Sequence, residues 1–160
     1  MVACSNPIFG VGMNDVTLSV PAVGYSAGQV LYSSGSSKFN KPTIAFTSVK
    51  LRGNSSQTGA SLQTVKLFLY ARTTAPSGTT GCTSTTVCSA SSQEIFKLNS
   101  VEIELKPDGS RTAFVVNDPN NKLKDGINAG EMWFGVGITA GATFNSDVKL
   151  SELVADVTIL

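Results

Sequence analysis

The chain contains no histidine, and this absence removes most of the chemistry a domain of its size performs. Without an imidazole there is no Ser-His-Asp or Cys-His relay, and the commonest metal ligand is missing. Cys4, Cys82 and Cys88 are the only thiols. Three thiolates do not complete a tetrahedral zinc site, and their spacing matches no zinc motif. There is no Gly-x-x-x-x-Gly-Lys-Ser/Thr phosphate loop, and Gly10-Val-Gly12 and Gly135-Val-Gly137 stand isolated. What remains is carboxylate chemistry. A glycoside-cleaving pair would be drawn from Glu94, Glu102, Glu104, Glu131, Asp147, Glu152 and Asp156. Glu102 and Glu104 fall on the wet face of one strand with no aromatic platform beside them. A working acid pair needs burial that this pattern does not supply. The expectation is a non-enzyme with no catalytic residue and no cofactor.

Metal and covalent features are few. Asp118, Asn120 and Asp125 offer hard oxygen atoms within one loop, which suits calcium. Their spacing is not that of an EF-hand, and Asp-Pro-Asn-Asn and Asp-Gly are ordinary turn formers, so no bound metal is expected. Cys82 and Cys88 bracket Thr-Ser-Thr-Thr-Val, a separation that permits either a disulfide in an oxidising setting or two free thiols. Cys4 is left over, as a buried, free or intermolecular thiol. Asn54-Ser-Ser56 is a glycosylation sequon with meaning only in a eukaryotic secretory route. Trp133, between Met132 and Phe134, reads as a packing residue. Tyr25, Tyr32, Phe39 and Phe46 are spread through the N-terminal third, whereas a sugar-binding sandwich needs rings gathered on one face.

The elements that position these residues are strands. Val101, Ile103 and Leu105 alternate with Glu102, Glu104 and Lys106; Leu153, Ala155, Val157 and Ile159 alternate with Val154, Asp156 and Thr158. Val65, Leu67 and Leu69 alternate with Lys66, Phe68 and Tyr70, an apolar pattern on both sides that fits a sheet centre or a subunit contact. Further strands are expected over 16–20, 43–51, 95–98, 112–117 and 132–139, each bounded by Gly, Pro, Asn or Asp. A helical period is found nowhere. Alternation slips between Phe46 and Val49, and again between Leu150 and Leu153, where a β-bulge or a change of sheet is required. Lys106-Pro-Asp-Gly-Ser110 is the clearest hairpin signal, and 118–130 is a longer connection. The fold class expected is all-β, an antiparallel sandwich of about eight strands with jelly-roll topology.

Composition agrees with one such domain. The 160 residues are 41% hydrophobic and 14% charged, with a net charge of +1. Scattered single Lys and Arg residues argue against a nucleic-acid partner. No apolar run reaches the roughly 20 residues of a membrane helix, so no membrane partner is expected. The N-terminus lacks the basic and apolar regions of a signal peptide. Residues 1–14 read as an N-terminal arm and 15–160 as the sandwich, from which a Ser/Thr-rich loop over 73–93 protrudes. Ile8, Phe9, Met13, Phe68 and Tyr70 are the interface candidates.

Residues 15–31, with Tyr25, Gly28, Gln29, Val30 and Leu31 in a Tyr-x-x-Gly-Gln-Val-Leu arrangement, resemble the opening of a loose family of tailed-bacteriophage virion proteins. The stretches 46–51, 65–70 and 130–137 and the alternating C-terminal strand are similar to later parts of that family, while 73–93 departs from it. The resemblance implies a β-sandwich accessory protein that decorates or cements a capsid. Its location would be the virion, assembled in the host cytoplasm. Its partners would be itself, as a homotrimer on local threefold axes, and the major capsid protein or another virion protein. Two further expectations belong to other classes. One is a secreted, extracellular carbohydrate-binding sandwich; the other is a pilus or fibre subunit that donates residues 1–14 by strand addition.

Overall fold

The computed structural model describes residues 8–18, 28–43, 45–58, 64–82, 86–99, 102–138 and 147–159. Tyr25, Cys4 and Ile44 lie outside these, as do the expected strand residues Val101 and Thr139. Among the described residues the chain forms β1 (Ile8–Gly12), β2 (Val16–Leu18), β3 (Gln29–Tyr32), β4 (Ser37–Lys38), β5 (Phe46–Thr58), β6 (Val65–Arg72) and β7 (Val87–Ser89). A 3-10 helix (Ala90–Phe96), β8 (Ile103–Leu105), β9 (Thr112–Val116), α1 (Lys122–Ala129), β10 (Glu131–Ile138) and β11 (Asp147–Ile159) follow. The first sheet runs β1-β11-β5-β9, with β2 also on β11; the second runs β7-β3-β10-β6-β8, with β4 on β10.

With β1/β2 and β3/β4 each taken as one interrupted strand and β7 set aside as an addition, the orders become 1-8-3-6 and 2-7-4-5. That is a jelly roll, and all its pairings are antiparallel. The core lies between the sheets, filled from one side by Leu51, Leu150, Leu153 and Val157 and from the other by Leu31, Leu67, Leu69, Leu105 and Phe134. Period-two alternation produces this directly. In β8, Ile103 and Leu105 are buried while Glu104 between them is exposed.

Both slips in alternation are bulges. The β5–β11 register breaks between Ser151 and Val154 and again between Thr158 and Ile159, opposite Phe46 and Ser48. Glu152, in the first break, takes a left-handed conformation at φ 53°. The Lys106–Gly109 turn forms as read, with Gly109 N–H donating to Lys106 O at 3.1 Å. It does not join a hairpin, however. β8 pairs with β6 and β9 with β5, so the turn crosses from one sheet to the other. Turn chemistry fixes the reversal of the chain and leaves the choice of sheet to burial. Ile103 and Phe114 both need the interior.

Three further expectations change. Ile95 and Phe96, expected to open a strand over 95–98, end the 3-10 helix instead. Residues 8–12, read as part of an arm, run as β1 along the chain's own β11, and Met13 N–H continues the contact to Leu153 O at 3.0 Å. The stretch 118–130, read as a connection without helical period, holds the eight-residue helix α1. Leu123 and Ile127, four apart, point together into the core, which is enough for a helix this short. Gly130 closes it at φ 73°. At the other end Asp118 receives Leu123 N–H at 2.8 Å and Lys124 N–H at 2.9 Å, one on each carboxylate oxygen. A carboxylate there satisfies two orphan donors and the positive end of the helix dipole. Asp118→Ala should therefore cost about 1–2 kcal/mol, read as a shift of the urea midpoint with an unchanged slope.

Candidate functional site

In most sandwiches the outer face of each sheet meets water. Here β3, β6 and β10 carry Val30, Tyr32, Tyr70, Phe68 and Trp133 on the outer side of the second sheet, and the chain returns to cover them. The cover begins where β6 ends and runs through β7 into the 3-10 helix. Its attachments are backbone bonds: Tyr32 N–H to Thr86 O at 2.7 Å, Ala90 N–H to Gly28 O at 2.9 Å, and Leu98 N–H to Leu69 O at 2.8 Å. Leu69 N–H donates to Asn99 Oδ1 at 2.7 Å. Cys82 and Cys88 are joined as a disulfide, and Ser89 N–H reaches Gly81 O at 2.8 Å across the same loop. Gly81 sits at φ 85°, and a Cβ there would stand 2.2 Å from Ser92 Oγ, so only glycine fits. The segment 73–93, expected to protrude, is over its latter part a packed layer in which Cys88 and Gln93 are buried.

At the centre of the cover lies a cation. Arg72, the last residue of β6, is 4% exposed, and among the described residues no carboxylate comes within ion-pair distance of it. Neutral acceptors replace the acid. Its Nε donates to Thr74 O at 2.9 Å, Nη2 to Thr74 Oγ1 at 3.1 Å, and Nη1 to Gln93 Oε1 at 3.0 Å. The guanidinium carbon lies 4.7 Å from the Phe96 ring centre and 5.7 Å from that of Tyr32. Aromatic faces suit a delocalised, weakly hydrated cation. Gln93 is the hinge of the arrangement. Its amide oxygen also accepts Tyr32 O–H at 2.8 Å, while its Nε2 donates to Ser92 Oγ at 3.0 Å and approaches Cys82 Sγ at 3.8 Å.

Burial pushes the Tyr32 phenol well above its usual range, with Arg72 opposing part of that rise. Burial also pushes Tyr70 up to about 12, helped by the negative charge of Glu94. Both phenols stay neutral, so the cluster holds a surface together and offers no activated nucleophile.

The sequence-derived candidates fall apart in space. Asp118, Asn120 and Asp125 are not gathered: Asp118 caps α1, Asn120 Nδ2 donates to Ile95 O at 3.0 Å, and Asp125 is a helix residue. Among the described residues no group of three acids or thiols is placed to hold a metal. Glu104 stands opposite Lys66 on the second sheet. Glu152 accepts Asn54 Nδ2 at 2.9 Å and Arg111 at 2.7 Å on the first sheet, and Asp156 pairs with Arg52 at 2.8 Å. Glu131 accepts the Ser36 hydroxyl, and Asp147 opens β11. Of the interface candidates, Tyr70 is buried under the chain's own cover and Phe68 is half-buried beside it, with Lys97 Nζ 3.6 Å from its ring centre. Ile8 and Phe9 lie in β1, and Met13 packs against the core. Arg72 and Gln93 were not singled out in the sequence. The available signal was an apolar pattern on both faces of 65–70 that ends in an arginine.

No family model, curated protein or solved structure matches the chain.

Gln93→Ala should cost about 2–4 kcal/mol, because it strands a buried guanidinium and a phenol together. Reducing the disulfide should cost about 2 kcal/mol; chemical denaturation with and without reductant measures it. The tyrosines set an alkaline limit. Their folded pKa values lie above the unfolded one, so their contribution is complete below about pH 10 and is lost as the pH rises through the folded values. Urea midpoints should be flat in pH up to about 10 and fall towards 12, with a smaller fall in Tyr70→Phe.

Proposed function

We propose that the domain is a non-enzymatic structural subunit that works by surface contact, decorating or cementing a tailed-phage capsid. In this reading it assembles as a homotrimer against the major capsid protein or another virion protein, and it acts in the virion. The observation that carries the reading is how the polar side chains are employed. Asp118 caps a helix, Gln93 links Arg72 to Tyr32, and Glu152 steadies a bulge through Asn54 and Arg111. Groups with chemical potential thus act on the chain's own backbone and side chains. The exterior left by this arrangement includes the broad first sheet, with Arg52–Asp156, Arg111–Glu152 and Lys149–Asp15 ion pairs across it. A polar, ion-paired surface suits the rim of a protein contact better than a small-molecule site, which is concave and largely apolar.

Jelly rolls serve in capsids and lectins alike, so the fold by itself leaves the choice between them open. The rings weigh against a sugar shelf. Phe68 carries the Lys97 ammonium, and Phe96 carries Arg72 at 4.7 Å and Lys122 at 5.4 Å. Donation of residues 1–14 to a neighbour would have to break the pairing of β1 with β11. Mass spectrometry of purified virions should find the chain in fixed ratio to the major capsid protein. A monomer absent from particles and retained on a polysaccharide column would overturn the proposal.

A further inference from the structure

We infer that β9 is a self-association edge, pairing antiparallel with the β9 of a second copy about a two-fold axis at Phe114. The inference goes beyond the proposed function and concerns a contact other than its threefold one.

Among the described residues the edge strands are β1, β2 and β9 on the first sheet and β4, β7 and β8 on the second, β2 and β4 being only three and two residues long. Unpaired edges recruit foreign strands unless something blunts them. β8 is three residues long, is flanked by exposed Glu102 and carries exposed Glu104, and Pro107 follows it closely. β7 is also three residues, held between the disulfide and the 3-10 helix. β1 is weakened by Gly10 and Gly12. β9 has none of these devices. Its sequence Thr-Ala-Phe-Val-Val is uncharged, lacks Gly and Pro, and is rich in strand-favouring residues. Among the described residues no strand pairs with its outer side. Val115, next to its central Phe114, is 67% exposed, more than any other large hydrophobic residue described. A cleft of about 440 Å³ opens beside it towards β8, with Leu98, Ile103, Phe114 and Val116 in its wall.

Such an edge selects extended backbone, and its own sequence favours a second copy. With Phe114 on the axis, exposed Ala113 of each copy stands opposite exposed Val115 of the other. The charges nearest the strand in sequence are Arg111 before it, an exposed side chain that pairs with Glu152 at 2.7 Å, and Asp118 after it, whose two oxygens accept α1 N–H groups. Antiparallel pairing about Phe114 sets Arg111 opposite Asn117 and Asp118 opposite Ser110, so that the opposite signs lie one position apart at both ends, whereas parallel pairing would set like against like.

The test uses the full chain in sedimentation equilibrium across a concentration series, beside Val115→Lys and Ala113→Lys. A lysine on the edge should halve the assembly mass, whatever threefold contact is present, leave the circular dichroism unchanged and remove the concentration dependence of the melting midpoint that this contact adds. The double variant A113C/V115C should cross-link chains in pairs on oxidation, and V115C alone should do so far less, because residue 115 faces 113 across the axis. A chain monomeric at its highest soluble concentration, or an assembly whose mass neither lysine changes, would overturn the inference. So would capture of a foreign strand at β9 without self-association. Absence of the chain from virions affects the functional proposal and leaves this readout intact.

Discussion

A guanidinium removed from water with no acid beside it is the constraint around which one half of this molecule is arranged. Desolvating such a charge is costly, and neutral partners compensate only when several act at once. Arg72 has two backbone or hydroxyl oxygens from Thr74, an amide oxygen from Gln93, and the rings of Tyr32 and Phe96. Those partners come from three places: strand β3, the end of β6 and its continuation, and the 3-10 helix. The charge is therefore satisfied only when all three are assembled. The disulfide and Gly81 hold the same loop from its far side. The result is a layer that behaves as part of the fold although its sequence is that of a loop.

That layer makes the two sheets unequal. The second is buried by the core on one face and, over β3, β10 and the end of β6, by its own cover on the other, with Lys66 and Glu104 left exposed; the first keeps an outer face that carries ion pairs. Exposed ion pairs contribute little to stability, about 0–1 kcal/mol each. They keep the face wet and specific in what it will meet. The contrast explains why aromatic residues, which sequence inspection offers equally as core, ligand shelf or interface, are concentrated under the cover instead of on a free surface.

The sandwich was legible because alternation is a direct record of burial. Ile103 against Glu104 gives the face of β8, and the changes of parity near Phe46 and Leu153 mark the bulges. The crossing of the Lys106–Gly109 turn was not legible, since a turn motif carries no information on which sheet receives the next strand. Helix α1 was missed because Leu123 and Ile127 are only two apolar positions, too few to establish a period. The role of Asp118 was hidden for a related reason: the same residues that bind calcium also cap helices, and only geometry separates the two. Arg72 and Gln93 lie apart in sequence and meet only through the return of the cover, so no local pattern announces them.

The position of β11 in the first sheet sets the order in which the molecule can be completed. β1, β2 and β5 all pair with it, and it is synthesised after every one of them. Until it arrives, β5 has β9 alone, and β1 and β2 have no strand of their own sheet to lie on. The first sheet thus depends on contacts between distant parts of the chain, the class of topology that folds slowly because loop closure must precede its reward. The second sheet can largely assemble sooner, from β3, β6, β7 and β8, though it too waits for β10 between β3 and β6. A nascent chain therefore passes through a stage at which its longest early strand, β5, is paired on one side only. During that interval protection from misassembly rests on the Lys50, Arg52 and Asn54 side chains that later face solvent.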